Sequence, residues 1–183
     1  QANAGREIYR QAVLTSQEAG DQLGTLVVFT NLILALNELG RRKEALDICR
    51  EFVQDTKWIS QSGTDLSDGA YLTWSLLSYE ANQLDLALEQ LQRTLRGLER
   101  VNVAHGKIWA QYILGSIFLA KQDYKQLAEA TQNGRYLAGS SRANSIHYSW
   151  FEMLDAQADL QRGDIAAVER WADSKKFTPG DNP

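Results

Sequence analysis

Four short segments of the chain resemble one another at a nearly constant spacing. They are Arg41-Arg42-Lys43-Glu44-Ala45-Leu46, Gln83-Leu84-Asp85-Leu86-Ala87-Leu88, Asp123-Tyr124-Lys125-Gln126-Leu127-Ala128 and Asp164-Ile165-Ala166-Ala167-Val168-Glu169. Aligned on their fifth residues, the anchors Ala45, Ala87, Leu127 and Val168 lie 42, 40 and 41 residues apart. Self-similarity at such a period restricts a chain to stacked supersecondary units, because one unit cannot bury its apolar face alone.

A second row supports the register. Twelve residues before the anchors stand Ile33, Ser75, Gly115 and Ala156, and four residues after them Cys49, Leu91, Thr131 and Ala172. Small residues are expected where two helices of a hairpin cross closely. Ile33 is the exception, and it predicts a first pair that splays or shifts by one residue.

The unit is helical. Leu84, Ala87, Leu88, Leu91, Leu95 and Leu98 recur on one helical face. The two prolines are Pro179 and Pro183, so no earlier position removes an amide donor from a helix. Leu26-Val27-Val28-Phe29 is β-prone but lies inside a longer helical window. About nine helices are predicted: one near 4–19, then pairs at 22–39 with 42–56, 67–81 with 84–100, 104–120 with 123–138, and 144–161 with 164–174. Gly20-Asp21, Gly40, Gly139-Ser140-Ser141 and Gly163-Asp164 are read as turns, glycine stopping one helix and Asp capping the next. Ser60-Gln61-Ser62-Gly63-Thr64-Asp65 is the longest polar gap, a loop within the array. The expected fold is all-α, a tetratricopeptide-like right-handed superhelix of antiparallel pairs over 1–175, with 176–183 as a tail or linker.

Composition narrows the function. With 44% hydrophobic and 23% charged residues, the chain can bury a core and keep a solvated surface. The net charge of −4 and the scattering of Lys and Arg among acids argue against nucleic-acid binding by this segment. Arg41-Arg42-Lys43, followed by Glu44 and Asp47, reads as a solvated helix start. One cysteine, Cys49, excludes an internal disulfide and falls at a core position. No apolar run approaches the roughly 18 residues of a membrane span, and no signal peptide opens the sequence. The expectation is a cytoplasmic protein without membrane contact. The start at Gln1, already near helical pattern, suggests a piece of something longer.

No catalytic constellation stands out. Phosphate-loop, GxGxxG and GxSxG motifs are absent, so neither a nucleotide cofactor nor a nucleophile elbow is expected. His105 and His147 lack partners at metal-ligand spacing, and Asp155 with Asp159 reads as an ordinary solvated pair. The chain is therefore read as non-catalytic, with no cofactor and no metal.

What remains is surface. In stacked helix pairs the first helix of each pair lines the inner face. Counting back 18, 15, 11, 8 and 7 residues from the anchors gives Val27, Thr30, Leu34, Asn37 and Glu38; Gly69, Leu72, Leu76, Tyr79 and Glu80; Trp109, Tyr112, Ser116, Leu119 and Ala120; and Trp150, Met153, Gln157, Leu160 and Gln161. From these, Asn37, Glu38, Tyr79, Glu80, Trp109, Tyr112, Trp150, Met153 and Gln157 are the candidate binding residues. Aromatic rings with amides and a carboxylate suit a sugar-like ligand or a peptide groove. The competing reading is that the rings only pack between repeats. Trp58 and Trp74 are assigned to packing, and Trp171 lies beside the core position Ala172.

The run from Ser75 to Ala87, Ser-Leu-Leu-Ser-Tyr-Glu-Ala-Asn-Gln-Leu-Asp-Leu-Ala, resembles a GxLLYExNDLxxA block of the MalT-like sensor domain found in large ATP-dependent LuxR-family transcriptional regulators. The stretch from Gly163 to Ala172, running on to Pro179-Gly180-Asp181-Asn182-Pro183, is similar to that domain's GDLxxAxRWAE…PxDxP ending. Ala45-Leu46-Asp47-Ile48-Cys49-Arg50-Glu51 is also similar, so the likeness covers most of the chain. Ser75 stands for the glycine of the pattern, Gln83 for its aspartate and Val168 for its alanine. The resemblance implies a sensor superhelix that binds a small-molecule inducer or a regulatory protein or peptide and couples it to self-association. In that family an ATPase module precedes the superhelix and a helix-turn-helix domain, which contacts DNA, follows it. The alternative is a stand-alone tetratricopeptide scaffold for protein–protein interaction.

Overall fold

The computed structural model describes residues 21–54, 66–99, 104–140 and 145–175, together with isolated positions between 7 and 19. Eight helices span them: α1 Gln22–Glu38, α2 Arg42–Gln54, α3 Leu66–Glu80, α4 Leu84–Leu98, α5 Ala104–Ala120, α6 Tyr124–Ser140, α7 Ser145–Arg162 and α8 Ile165–Lys175. No strand occurs among the described residues, so the protein is all-α. The β-prone run at 26–29 is helical within α1. Of the first expected helix, Glu7, Gln11, Ala12, Leu14, Thr15 and Glu18 are helical, and the rest lies outside the described residues, as do Trp58 and the polar gap at 60–65.

The two helices of each pair are joined by the same turn. Gly40, Asn82, Gln122 and Gly163 have φ of 72°, 57°, 57° and 79°, and each stands five residues before its anchor. The amide of the next residue returns to the carbonyl five positions back, Arg41 to Leu36, Gln83 to Ser78, Asp123 to Phe118 and Asp164 to Asp159, at 2.8–2.9 Å. Together with the bonds Gly40 to Asn37, Asn82 to Tyr79, Gln122 to Leu119 and Gly163 to Leu160, this satisfies the last carbonyls of the first helix by the Schellman pattern. The turn at Gly40 obeys the common register, so the predicted one-residue shift of the first pair does not occur. Ile33 is fully buried in the same cluster as the small residues Ala45 and Cys49, which leave room for it. Asp123 and Asp164 also cap the following helices, accepting from the amides of Gln126 and Ala167 at 3.1 and 3.0 Å. At Gln83 no side-chain cap forms. Gly139 and Ser140 were expected in a turn and are instead the last residues of α6.

The chain forms two compact units, Gln1–Gly106 and Lys107–Pro183. In the first, α1 and α2 pack on each other and on α3, which pairs with α4. Phe29, Ile33, Leu36, Ala45, Ile48, Cys49, Phe52, Ala70 and Leu77 form its core, with Trp74 against it. The Phe29 and Phe52 rings stack at 4.2 Å. A polar seam runs beside this core: Ser78 donates to Gln90 Oε1 at 3.0 Å, both residues being buried, and among the described residues Gln90 Nε2 has no hydrogen-bond partner.

In the second unit α5, α6 and α7 share a core of Ile108, Leu119, Leu127, Ala138, Phe151, Leu154 and Ala158. Glycines set the closest approaches. A Cβ on Gly115 would lie 2.9 Å from Leu154 Cδ1, and one on Gly134 would lie 2.0 Å from the tip of the Phe151 ring. The helix α8 packs on α7 and contains no buried residue.

Candidate functional site

In the first unit the expected residues form a polar bridge between the first and second helix pairs. Asn37 Nδ2 donates to Glu80 Oε2 at 2.5 Å. Arg42 donates through Nε to Asn37 Oδ1 at 3.2 Å and through Nη1 to the Glu80 carbonyl at 3.1 Å. Arg42, read from sequence as part of a solvated helix start, is thus the centre of the bridge. Its neighbour Arg41 pairs with Glu44. Glu38 is exposed, and Tyr79 is half-buried. The carboxylate and amide already satisfy one another, and exposed pairs of this kind contribute at most about 1 kcal/mol. The cluster ties the pairs together more than it strengthens them.

The second unit brings aromatic residues together. The rings of Tyr112 on α5 and Trp150 on α7 lie 5.3 Å apart, tilted by 46°. His147 meets the edge of Trp150 at 4.7 Å in a T-shaped contact. Trp109 precedes Tyr112 by three residues, and Met153 and Gln157 follow Trp150 by three and seven, spacings that keep each set on one helical face. Trp109, Tyr112, Trp150 and Met153 are half-buried and Gln157 is exposed. The group combines ring faces, a thioether and an exposed amide, which suits contact with the apolar faces of a ligand that also offers hydrogen bonds.

His147 was dismissed from sequence as isolated. Its spacing of three from Trp150 was the available signal, because residues at i and i+3 are neighbours on a helix. Three further positions expected on an open inner face, Leu72, Ser116 and Leu119, are buried. Leu119 belongs to the core of the second unit. Trp74 packs as expected, and Trp171 and Ala172 are both half-buried.

Acid–base chemistry finds little support in the carboxylates of α7. Asp155 is bonded to Arg135 of α6, and Asp159 lies 3.9 Å from Arg162. Among the described residues no group of three or more His, Cys, Asp or Glu side chains could hold a metal ion. Burial pushes the Cys49 thiol far above its ordinary pKa, which removes it as a nucleophile. A depression of about 590 Å³ between α6 and α7 is lined by Gln132, Arg135, Tyr136, Gly139, Ser140 and Tyr148, and contains none of the expected site residues.

No protein-family model, curated protein or solved structure matches the chain. Among the described residues no helix is long and apolar enough to cross a membrane.

Proposed function

We propose that the chain is a non-catalytic sensor module, a tetratricopeptide-like superhelix of the kind found in MalT-like LuxR-family regulators, acting in the cytoplasm. Its first-of-pair helices line a concave face that takes a small-molecule inducer or a regulatory protein or peptide. The observation that carries this reading is the tilted Tyr112–Trp150 pair on successive first-of-pair helices, with Met153 and the exposed Gln157 on the same face of α7 as Trp150. Four turns in one register support the repeat architecture. DNA contact in this reading belongs to a separate helix-turn-helix domain.

Trp150 gives the test its signal. Tryptophan emission is followed while soluble oligosaccharides and short peptides are titrated into the 183-residue chain. Binding should shift the emission and saturate, and Tyr112→Ala or Gln157→Ala should weaken it at least tenfold with helical content unchanged. If no oligosaccharide or peptide gives a saturable shift, or if Tyr112→Ala melts the second unit, the rings are packing residues and the reading fails. A peptide-binding scaffold is the second reading, favoured by Met153 beside the rings, because a flexible thioether adapts to varied side chains.

A further inference from the structure

The two helices that carry the Tyr112–Trp150 pair hold their charges away from it. In α7 the charged residues are Glu152, Asp155, Asp159 and Arg162. At about 100° per residue they fall within an arc of roughly 80°, on the side of the helix opposite Trp150. Each is engaged there. Glu152 accepts from Lys175 of α8 at 2.5 Å, and Asp155 is bonded to Arg135 of α6. Asp159 lies 3.9 Å from Arg162, whose guanidinium sits 4.5 Å from the centre of the Tyr124 ring. In α5 the one Lys, Arg, Asp or Glu is Lys107, five residues before Tyr112 and on the far side of the helix.

The face that remains is polar without being charged. Seven residues before the anchors, the carboxylates Glu38 and Glu80 of the first two pairs give way to Ala120 and Gln161 in the last two. Gln157, one turn earlier on the same stripe of α7, is exposed, and among the described residues its amide has no partner. It offers two N–H donors and a carbonyl acceptor at no net charge. The titratable groups at the rings are Tyr112 itself and His147, whose imidazole meets the edge of Trp150. His105 stands on the same side of α5 as Tyr112, seven residues before it.

We propose that the ring pair takes an uncharged ligand, a small molecule with an apolar face for Tyr112, Trp150 and Met153 and with hydroxyl or amide groups for Gln157. This rests on the reading of the pair as a binding surface and adds the class of molecule bound. A charged group pressed against the rings would lose its hydration without meeting an opposite charge, because the carboxylates and the guanidinium of α7 lie on the other side and are already paired. A cation would gain from the ring faces. Here, though, the Trp150 ring already has the His147 imidazole against it, and no carboxylate of α5 or α7 shares the face.

The probes are two sets alike in size and different in charge. The neutral sugars cellotriose and triacetylchitotriose are set against trigalacturonate, and the capped peptide acetyl-Gly-Gln-Leu-Gly-amide against its versions with Glu or Lys in place of Gln. Each is titrated into the 183-residue chain at about pH 8, where histidine is ordinarily neutral, and tryptophan emission is followed. At least one neutral probe should saturate, its charged counterparts should bind at least tenfold more weakly, and Tyr112→Ala should remove the shift. Affinity for the neutral probe should change less than twofold between about 50 and 500 mM salt, since there is no ion pair to screen. Gln157→Glu, which places a carboxylate on the face, should weaken the neutral probe several-fold with circular dichroism unchanged.

A charged probe that binds as tightly as its neutral counterpart, or an affinity that falls with salt, overturns this proposal and leaves the site reading standing. A saturating shift indifferent to Tyr112→Ala, or silence from every probe, removes the site itself and the proposal with it.

Discussion

Gly134 of α6 lies against the ring tip of Phe151 of α7, so close that a Cβ there would stand 2.0 Å from it. Phe151 is fully buried in the core of the second unit. Gly134→Ala should therefore destabilise the second unit by about 1–3 kcal/mol through overpacking. Gly139 in the same helix has nothing within 4 Å of the added methyl, and Gly139→Ala should stabilise by about 0.5–1 kcal/mol. Urea midpoints of the two variants should move in opposite directions. A common direction would mean that helix propensity, not the ring contact, governs both sites.

The four left-handed turn residues make a second pair of opposed substitutions. Gln122 holds φ 57°, a conformation costing a residue with a Cβ roughly 1–2 kcal/mol. Gln122→Gly relieves that strain against the entropy glycine gains on unfolding, for a net stabilisation of about 0.5–1 kcal/mol. Gly163→Ala, at φ 79° with nothing within 4 Å, should destabilise by about 1 kcal/mol through the backbone alone. Chemical denaturation at unchanged m-value measures both.

Cys49 links stability to alkaline pH. Burial raises its pKa in the folded state, with the nearby Arg50 charge opposing weakly. The folded chain keeps the proton that an unfolded chain, with a thiol pKa of about 8.5, gives up. The contribution is complete below that pH and falls by about 1.4 kcal/mol per pH unit above it until the folded thiol itself ionises. Cys49→Ala should flatten this dependence. Alkylation of the native thiol at neutral pH should proceed only at the rate of local opening, and rapid labelling without denaturant would contradict its burial.

The Ser78–Gln90 pair is a buried polar contact, with the Gln90 amide nitrogen left without an acceptor among the described residues. Gln90→Ala should cost about 1–3 kcal/mol, since it strands the Ser78 hydroxyl and opens a cavity. Ser78→Ala combined with Gln90→Leu removes both polar partners and should be near neutral or stabilising. A double-mutant cycle by thermal unfolding reads the coupling. Leu36 and Ile48 at the equivalent places of the first pair, both buried, show that an apolar pair fits this position.

Helix positions were legible in the sequence because their signals are local. All eight described helices lie within two residues of the expected spans, fixed by apolar periodicity and by Gly40 and Gly163-Asp164 at the turns. Gly139 misled because glycine at a helix end and glycine in a turn look alike until the hydrogen bonds are known. The candidate site was harder to read. Whether Asn37 faces a ligand or Glu80, and whether Leu119 is open or buried, depends on what the next helix presents. Arg42 looked like an ordinary surface charge for the same reason: its partners lie on α1 and α3. Spacing placed Tyr112 and Trp150 on corresponding helical faces, but no pattern within one helix specifies the distance between their rings.

Each turn from Gly40 to Gly163 closes its hydrogen bonds over only a few residues of chain. The entropy lost in bringing paired helices together is therefore small, and none of the four hairpins must wait for a distant strand or terminus to find it. Folding can begin at any of them, and the chain should refold fast for its length. A lesion in one pair should then raise the opening rate of its own neighbourhood well before it slows assembly elsewhere.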